Sequence, residues 1–210
     1  MKGNTMKTQT AKPFLKWAGG KSQLIGQLEA LFPPDLAKWD CFTYVEPFLG
    51  GGSMLFHMLG KYKNIRRAVV NDMNGSLVAS YRAVQDCPAD LISRLKRLRA
   101  GYLACQDEAA RREFYMKIRD AYNGRGPDQT ETAALFIFLN KTCFNGLHRV
   151  NSKGLFNVPF GKAANPAICD EETIMADSML LRNVQILNGD FADTYRHVKG
   201  RAFFYFDPPY

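Results

Sequence analysis

The feature that most constrains the fold is a glycine-rich turn between an apolar run and an amphipathic run. The segment Cys41-Phe-Thr-Tyr-Val-Glu-Pro-Phe-Leu-Gly-Gly-Gly-Ser-Met-Leu-Phe56 predicts a strand through about Val45, then a turn, then a helix capped by Ser53. Three consecutive glycines indicate that a ligand approaches the backbone closely or that the turn needs positive φ. This order of strand, glycine turn and helix is typical of the first βα unit of a doubly wound sheet.

The next predicted strand ends in an acid. Residues 66–71 are followed by Asp72, which lies 20 positions after Gly52. That spacing suits a carboxylate that binds ribose hydroxyls, although Asp72 would equally suit the N-cap of a helix starting near Asn74. A dinucleotide-binding site is less favoured, because Leu55 occupies the third glycine position of the Gly-x-Gly-x-x-Gly pattern.

A second candidate for ligand binding precedes the glycine turn. The segment Phe14-Leu-Lys-Trp-Ala-Gly-Gly-Lys-Ser22 leads into a helical pattern, with Ser22 as the predicted N-cap and Pro33-Pro34 as the stop. The segment is not a phosphate-binding P-loop, because position 15 is Leu where that motif needs Gly. Two glycines before a helix, with Lys21 beside them, still suit an anion such as a carboxylate.

The middle of the chain is predicted to be helical and then to form a hairpin. Residues 76–121 have a mixed-charge helical pattern, and residues 131–140 predict an apolar helix that must be buried. The turn signal Asn151-Ser-Lys-Gly154 divides two short β-like runs within residues 144–161. Two groups of basic residues, Arg94, Lys96, Arg97 and Arg99 in the helices and Arg149, Lys153 and Lys162 in and beside the hairpin, suit either DNA contact or ordinary solvated surfaces.

The carboxyl-terminal part predicts two more strands. A helix at residues 171–181 is followed by a strand at residues 183–190, which places Asp190 and Phe191 where they would hold an adenine. The four aromatics at residues 203–206 then predict a fully buried strand.

The last four residues, Asp207-Pro-Pro-Tyr210, predict a clamp at the end of that strand. The carboxylate of Asp207 and the carbonyl of Pro208 can each accept a hydrogen bond from an amino group. Tyr210 offers a flat face for a planar ring. The clamp suits a ring with an exocyclic amine, such as adenine, and the alternative is a simple turn.

Composition narrows the class of protein. The net charge of +8 and the pI near 9.3 suit a polyanionic partner. Five scattered cysteines without a Cys-x-x-Cys pair favour reduced thiols in a cytoplasm over disulfides or a zinc site. With isolated histidines and no apolar run of about 20 residues, we expect a soluble cytoplasmic protein with no metal and no membrane segment; the oligomeric state stays open.

Four segments in this order resemble one protein family. They are Lys16-Trp-Ala-Gly-Gly-Lys21, Val45-Glu-Pro-Phe-Leu-Gly-Gly-Gly-Ser53, the pair Phe144-Asn-Gly-Leu-His-Arg149 and Phe156-Asn-Val-Pro-Phe-Gly161, and Asp207-Pro-Pro-Tyr210. From Phe14 to Tyr210 the chain resembles the DNA adenine-N6 methyltransferases of the Dam type, the D12 class.

The resemblance implies a fold and a domain organisation. We expect an α/β fold with a Rossmann-like S-adenosylmethionine-dependent methyltransferase sheet, incomplete on its C-terminal side. Residues 1–80 and 165–210 would form the catalytic domain, and residues 81–164 an inserted DNA-recognition lobe of helices and a β-hairpin. Because the family continues with further strands, we expect a C-terminally truncated chain whose fourth strand is an apolar edge.

The resemblance also implies residue roles. The catalytic residues would be Asp207, Pro208, Pro209 and Tyr210. S-adenosyl-L-methionine would contact Trp17 and Lys21 at its methionine end, Glu46, Pro47, Phe48, Gly50 and Gly52 around the glycine turn, Asp72 at the ribose, Asp190 and Phe191 near the adenine, and Asp207. Double-stranded DNA, commonly at GATC in this family, would contact Lys16, Asn145, Leu147, Arg149, Asn151 and Lys162.

The implied reaction is methyl transfer to adenine N6 after the base leaves the stack. Alternatives are cytosine N4, RNA or a protein amide as the acceptor, since the clamp fits any planar amine. A DNA-binding fragment without catalysis is an alternative from another class. Lys162 stands where many relatives have Arg, so it lacks a bidentate fork for base recognition.

Overall fold

A computed structural model describes residues 11–124, 126 and 128–208. Pro209 and Tyr210, two of the predicted catalytic residues, lie outside the described residues.

One parallel sheet forms the centre of the fold, with the strand order β3-β2-β1-β4. The strands are β1 (Phe42–Glu46), β2 (Ile65–Asp72), β3 (Val184–Asn188) and β4 (Ala202–Phe204). Every residue of β1 is buried, because it is an interior strand of a parallel sheet that is covered on both faces. The predicted α/β class with a parallel sheet is confirmed.

Helices connect and cover these strands. They are α1 (Ile25–Glu29), α2 (Ser53–Lys61), α3 (Gly75–Asp86), α4 (Pro88–Leu103), α5 (Glu108–Asn123), α6 (Gln129–Thr142) and α7 (Glu171–Leu181), with short 3₁₀ helices at Leu36–Lys38, Phe144–Gly146 and Phe191–His197. Helix α6 packs against α3, α4 and α5, and its residues 133–140 are all buried. The predicted helical middle and the predicted buried helix are therefore confirmed.

Two predicted helix caps are wrong. Helix α1 begins at Ile25 rather than after Ser22, whose hydroxyl instead lies 2.9 Å from the hydroxyl of Ser53. Ser53 is the first residue of α2 and not its cap, because Gly52 takes the N-cap position with φ +70°. A left-handed backbone at the cap is favourable for glycine, so the turn needs no side-chain cap to begin the helix.

The last strand differs from its prediction. Strand β4 pairs with β1 alone and lies at one edge of the described sheet, so its three residues are half-buried rather than fully buried. Phe203 packs edge-on against Phe32, with ring centroids 4.8 Å apart, whereas Phe206 is 45% exposed. A strand with one neighbour keeps more of its surface exposed than a central one.

The hairpin forms without a continuous ladder. Single antiparallel bridges join Val150 to Phe156 and Cys143 to Phe160. The predicted turn is confirmed, since the amide of Gly154 donates to the carbonyl of Asn151 over 2.9 Å.

The helical basic cluster forms ion pairs. Arg94 contacts Asp90, Asp128 and Glu131, and Lys96 contacts Glu171. These contacts favour the reading of a solvated face for these two cations.

Residues 11–124, 126 and 128–208 contain no helix long and apolar enough to cross a membrane. Over those ranges no group of three or more His, Cys, Asp or Glu side chains is arranged to hold a metal. The five cysteines are free thiols.

A buried asparagine joins the amino-terminal segment to the hairpin. Asn140, which is 2% exposed, donates to the carbonyls of Lys16 and Gly146 over 2.7 and 3.1 Å. Its side-chain oxygen accepts from the amide of Lys16 over 2.8 Å. One side chain at the end of α6 therefore fixes two segments that are far apart in sequence.

We expect Asn140→Ala to lower the free energy of unfolding by about 2–4 kcal/mol, because it leaves three backbone groups without their partner. Urea unfolding followed by circular dichroism measures the difference. The exposed Asn165 is a matched control, and Asn165→Ala should change the value by less than about 0.5 kcal/mol. Equal losses in the two variants would contradict the role of Asn140.

Candidate functional site

The main cavity lies where β1, β2 and β4 end. Its volume is about 460 Å³, within the range of ligand sites. It is lined by Trp17, Ala18, Gly19, Gly20, Lys21, Glu46, Phe48, Leu49, Gly50, Gly51, Gly52, Ser53, Met54, Asp72, Met73, Tyr205, Asp207 and Pro208. The amino-terminal segment, the glycine turn and the clamp residues Asp207 and Pro208 therefore meet at the carboxyl ends of the strands, where parallel α/β sheets bind ligands.

The glycine turn forms the floor of the cavity beneath an indole ring. Gly50 and Gly52 have φ of +50° and +70°. A Cβ on Gly50 would lie 3.1 Å from Cδ1 of Trp17, and one on Gly51 would lie 3.1 Å from Cβ of Trp17. The turn thus needs glycine both for its backbone conformation and for the approach of Trp17.

Asp72 holds the turn in place. Its Oδ2 accepts from the amide of Gly50 over 3.0 Å, and its Oδ1 accepts from the amide of Asn74 over 2.8 Å. The N-cap of α3 is Asn74, whose side chain accepts from the amides of Ser76 and Leu77, so the capping alternative for Asp72 is wrong. Each carboxylate oxygen of Asp72 keeps a further lone pair for a ligand hydroxyl.

An ion pair joins the two ends of the chain across the cavity. Nζ of Lys21 lies 3.1 Å from Oδ1 of Asp207, and both side chains are mostly buried. The ion pair brings together Lys21, for which we predict a contact with the cofactor, and Asp207, for which we predict a catalytic role. Pro208 also lies in the lining of the cavity.

Glu46 is a buried acid in the same wall. The hydroxyl of Tyr44 donates to Oε2 of Glu46 over 2.8 Å. Burial raises the pKa of Glu46 to about 8, the bond from Tyr44 opposes this rise, and the negative charges of Asp207 and Asp72 add to it. The carboxyl group of Glu46 is therefore protonated more readily than that of an exposed glutamate.

An aromatic group borders the cavity. Phe48 lies in the lining, and its ring is stacked on Phe191 with centroids 5.5 Å apart. Phe191 and Asp190 are outside the lining, and Asp190 caps the following 3₁₀ helix through the amide of Ala192. Pro47 is also outside the lining, and its carbonyl accepts from the side chain of Asn71. The cofactor roles of these last three residues stay predictions.

Sequence reasoning missed some of the lining, including Tyr205, Met54 and Met73. The place of Tyr205 could have been predicted from the sequence. It lies two positions before Asp207, and alternate residues of an extended segment face the same side. The two methionines carry no motif that distinguishes them from core residues.

The predicted DNA-contacting residues share one property, which is exposure to solvent. They are Lys16, Asn145, Leu147, Arg149, Asn151 and Lys162. Several of these side chains are already bonded: Arg149 donates to the side chain and the carbonyl of Asn157 over 2.7 and 3.1 Å, and Asn151 accepts from the amides of Lys153 and Leu155. Lys162 lies 3.0 Å from a carboxylate oxygen of Glu108. None of these six residues lines the main cavity, so they would act outside it.

A parallel sheet with a ligand cavity at its glycine turn is the architecture of Rossmann-like methyltransferases. The family model of the D12 class N6 adenine-specific DNA methyltransferases matches residues 17–210, and the chain belongs to that family.

Named relatives agree with this assignment. The chain is 47% identical to "Type II methyltransferase M.MjaIII" of Methanocaldococcus jannaschii over 95% of its length and 69% of the relative's. It is 36% identical to "Type II methyltransferase M1.LlaDCHI" of Lactococcus lactis subsp. cremoris over 95% and 66% of the two lengths. It is 30% identical to "DNA adenine methylase" of Escherichia coli (strain K12) over 95% and 65%. The chain thus spans about two thirds of the length of these relatives.

We expect Glu46→Gln to become more stable relative to wild type as the pH rises. The pKa of Glu46 is raised from 4.5 to about 8, so its contribution to folding is complete below pH 4.5 and is lost as the pH rises toward 8. Gln does not titrate, so its contribution to stability does not change with pH. The free energy of unfolding of Glu46→Gln minus that of wild type should therefore grow by up to about 1.4 kcal/mol per pH unit between these limits. Urea unfolding from pH 5 to 8 measures it.

The control for this experiment is Glu113→Gln, on the exposed face of α5. Its stability relative to wild type should stay within about 0.5 kcal/mol across the range. A parallel pair of curves for wild type and Glu46→Gln would show that Glu46 is not protonated preferentially in the fold.

Proposed function

We propose that this chain transfers a methyl group from S-adenosyl-L-methionine to N6 of adenine in double-stranded DNA. The observation that carries the proposal is the meeting of the Lys21–Asp207 ion pair, Pro208 and the glycine turn at one cavity. Membership of the adenine-specific family supports the substrate.

The charge of the cavity supports the cofactor. Within the described residues its lining has the carboxylates of Asp72 and Asp207 and the more readily protonated Glu46, against a single cation, Lys21. Such a site favours a ligand with excess positive charge, and S-adenosylmethionine carries an ammonium and a sulfonium against one carboxylate. Bound there, it supplies a methyl group on a positively charged sulfur.

Four parts of the lining would hold the cofactor. Lys21 would pair with its carboxylate and Glu46 with its ammonium, because opposite charges attract strongly where water is excluded. Asp72 has free lone pairs for the ribose hydroxyls, and the ring of Phe48 is a wall for the adenine. The glycine turn allows a ligand to approach the backbone without meeting a side chain.

Asp207 and Pro208 would act on the target base. The N6 amino group is a weak nucleophile, because its lone pair is delocalised into the ring. Acceptance of its two hydrogens by the carboxylate of Asp207 and the carbonyl of Pro208 would favour a tetrahedral nitrogen with an available lone pair. The carboxylate also stabilises the positive charge that develops on the nitrogen. Lys21 keeps that carboxylate oriented while the site is empty of base.

The base has to leave the duplex to reach this cavity, because adenine N6 in B-DNA is held in a base pair within the stack. We propose that the extruded adenine stacks on Tyr210, a role that rests on the family resemblance, since Tyr210 lies outside the described residues.

Residues 81–164 are proposed as the recognition lobe. Lys16, Asn145, Leu147, Arg149, Asn151 and Lys162 are all exposed, and we propose that they contact the DNA together. Asn157 holds the Arg149 guanidinium in one orientation, which lowers the entropy lost on pairing with a base edge. We propose GATC as the first recognition sequence to test.

Asp207→Asn should lower methyl transfer at least about 100-fold, a loss typical of removing one preorganised group from a transition-state site. The variant keeps the size of the side chain and loses its charge. The measurement is incorporation of tritiated methyl groups from S-adenosylmethionine into unmethylated GATC-containing DNA, with mass spectrometry of the digested product to distinguish N6-methyladenine from N4-methylcytosine.

The control is Asp40→Asn. Asp40 is exposed and lies just before the amino end of β1, whereas the cavity lies at the carboxyl ends of the strands. This variant should transfer methyl groups at the wild-type rate. Wild-type activity in Asp207→Asn would remove Asp207 from the reaction. DNA binding without incorporation by the wild-type chain would favour a binding fragment over an enzyme.

Arg149→Ala should relax the sequence preference, with a loss of about 1–3 kcal/mol of discrimination between GATC and singly altered sites. Competition binding with each altered duplex measures this value. Arg66→Ala, which removes the same charge at the amino end of β2, should leave the preference unchanged. An unaltered preference in Arg149→Ala would exclude Arg149 from base reading.

A further inference from the structure

His148 differs from its neighbours in the hairpin. Leu147 and Arg149 are exposed, whereas the imidazole between them is turned inward and partly buried. Its ring is stacked on Trp17, with centroids 5.6 Å apart and planes 25° apart. His148 itself does not line the main cavity, but Trp17 does. The hairpin therefore contacts a lining residue of the cavity through the side chain of His148.

The same imidazole is also connected to a second lining residue, Asp72, through Asn74. Nδ2 of Asn74 lies 3.3 Å from Nδ1 of His148 and 3.4 Å from its Nε2. The amide of Asn74 donates to Asp72, which lines the cavity. Burial lowers the pKa of His148, although the charge of Asp72 opposes this shift, so a neutral ring nitrogen is available to accept from Asn74.

The surroundings of His148 allow it to transmit a change. On its other side lies a second, more open hollow of about 370 Å³, lined by Asn74, Gly75, Ser76, Tyr122, Thr132, His148, Val150 and Gly154. A residue packed on every side would have one available position. His148 instead has a ring packed on Trp17, Phe136 and Phe156 and a polar edge beside open space.

We propose that His148 is a positioning residue that couples occupancy of the main cavity to placement of the recognition hairpin. A ligand that fixes Trp17 and Asp72 also fixes the two groups that His148 contacts, and so favours the hairpin conformation that binds DNA. By linkage, DNA bound to the hairpin strengthens ligand binding in the cavity by the same factor. The inference rests on the proposed function, since it needs both ligands to bind.

The experiment measures DNA affinity with and without saturating S-adenosylhomocysteine, a non-reactive probe of the cavity. Fluorescence anisotropy of a labelled GATC duplex gives the dissociation constants. The wild-type chain should bind DNA at least about fivefold more tightly with the probe, the lower end of typical coupling. In His148→Ala the ratio should fall below about twofold, while probe affinity without DNA changes by less than about threefold. A purely structural role for His148 would weaken DNA binding and leave the ratio unchanged.

One further variant is a control, and a second replaces His148→Ala if that variant does not fold. His197→Ala removes an imidazole that is bonded to Gln185 near the amino end of β3, and it should keep the wild-type ratio. If His148→Ala does not fold, Asn74→Ser decides, because serine retains an oxygen to cap α3 but is too short to reach His148.

The outcomes separate the inference from the proposed function. Loss of the ratio in the deciding variant, with both single ligands still bound, supports the inference. The inference is overturned, and the proposed function left intact, if that variant shows the same ratio as the wild-type chain. It is overturned in the same way if the wild-type chain itself shows a ratio near one. A wild-type chain that binds no DNA at any probe concentration overturns the proposed function, and the inference with it.

Discussion

The cavity depends on the hydrogen bond from the amide of Gly50 to the carboxylate of Asp72. This bond joins the turn after β1 to the end of β2, while the other oxygen of Asp72 holds the amide of Asn74 at the start of α3. The glycines then lie where Trp17 can pack on them. Asp72, the carboxylate for which we predict a ribose contact, thus holds together the end of β2, the glycine turn and the start of α3.

Charge is distributed differently inside and outside this cavity. The chain carries a net charge of +8, yet the described lining has three acids and one lysine. Because attraction is strongest where water is excluded, the interior selects for a cation. The basic exterior attracts a polyanion over longer distances, subject to screening by salt. The cavity would therefore suit the proposed sulfonium cofactor, and the basic exterior would suit the proposed nucleic-acid partner.

The hairpin is attached to the amino-terminal segment at two points. The first is the side chain of Asn140, which bonds the backbone of Lys16 and of Gly146. The second is the stacked pair of Trp17, the residue after Lys16, and His148, two residues after Gly146. Both attachments rest on α6, which is buried and packed against three other helices. The hairpin, with its exposed residues, is thus connected to the buried helical core.

The sequence by itself determined the strands β1 to β3, the glycine turn, the turn at Asn151 and the acids at the strand ends, because burial pattern and backbone preference are properties of consecutive residues. It did not determine that β4 is only half-buried, that Gly52 rather than Ser53 is the N-cap of α2, or that Lys21 pairs with Asp207. The roles of Asn140 and His148 also escaped it. Lys16 and Asn140 are 124 positions apart, and no local pattern encodes such a contact. Only the packing of distant segments into one structure decides which polar groups meet.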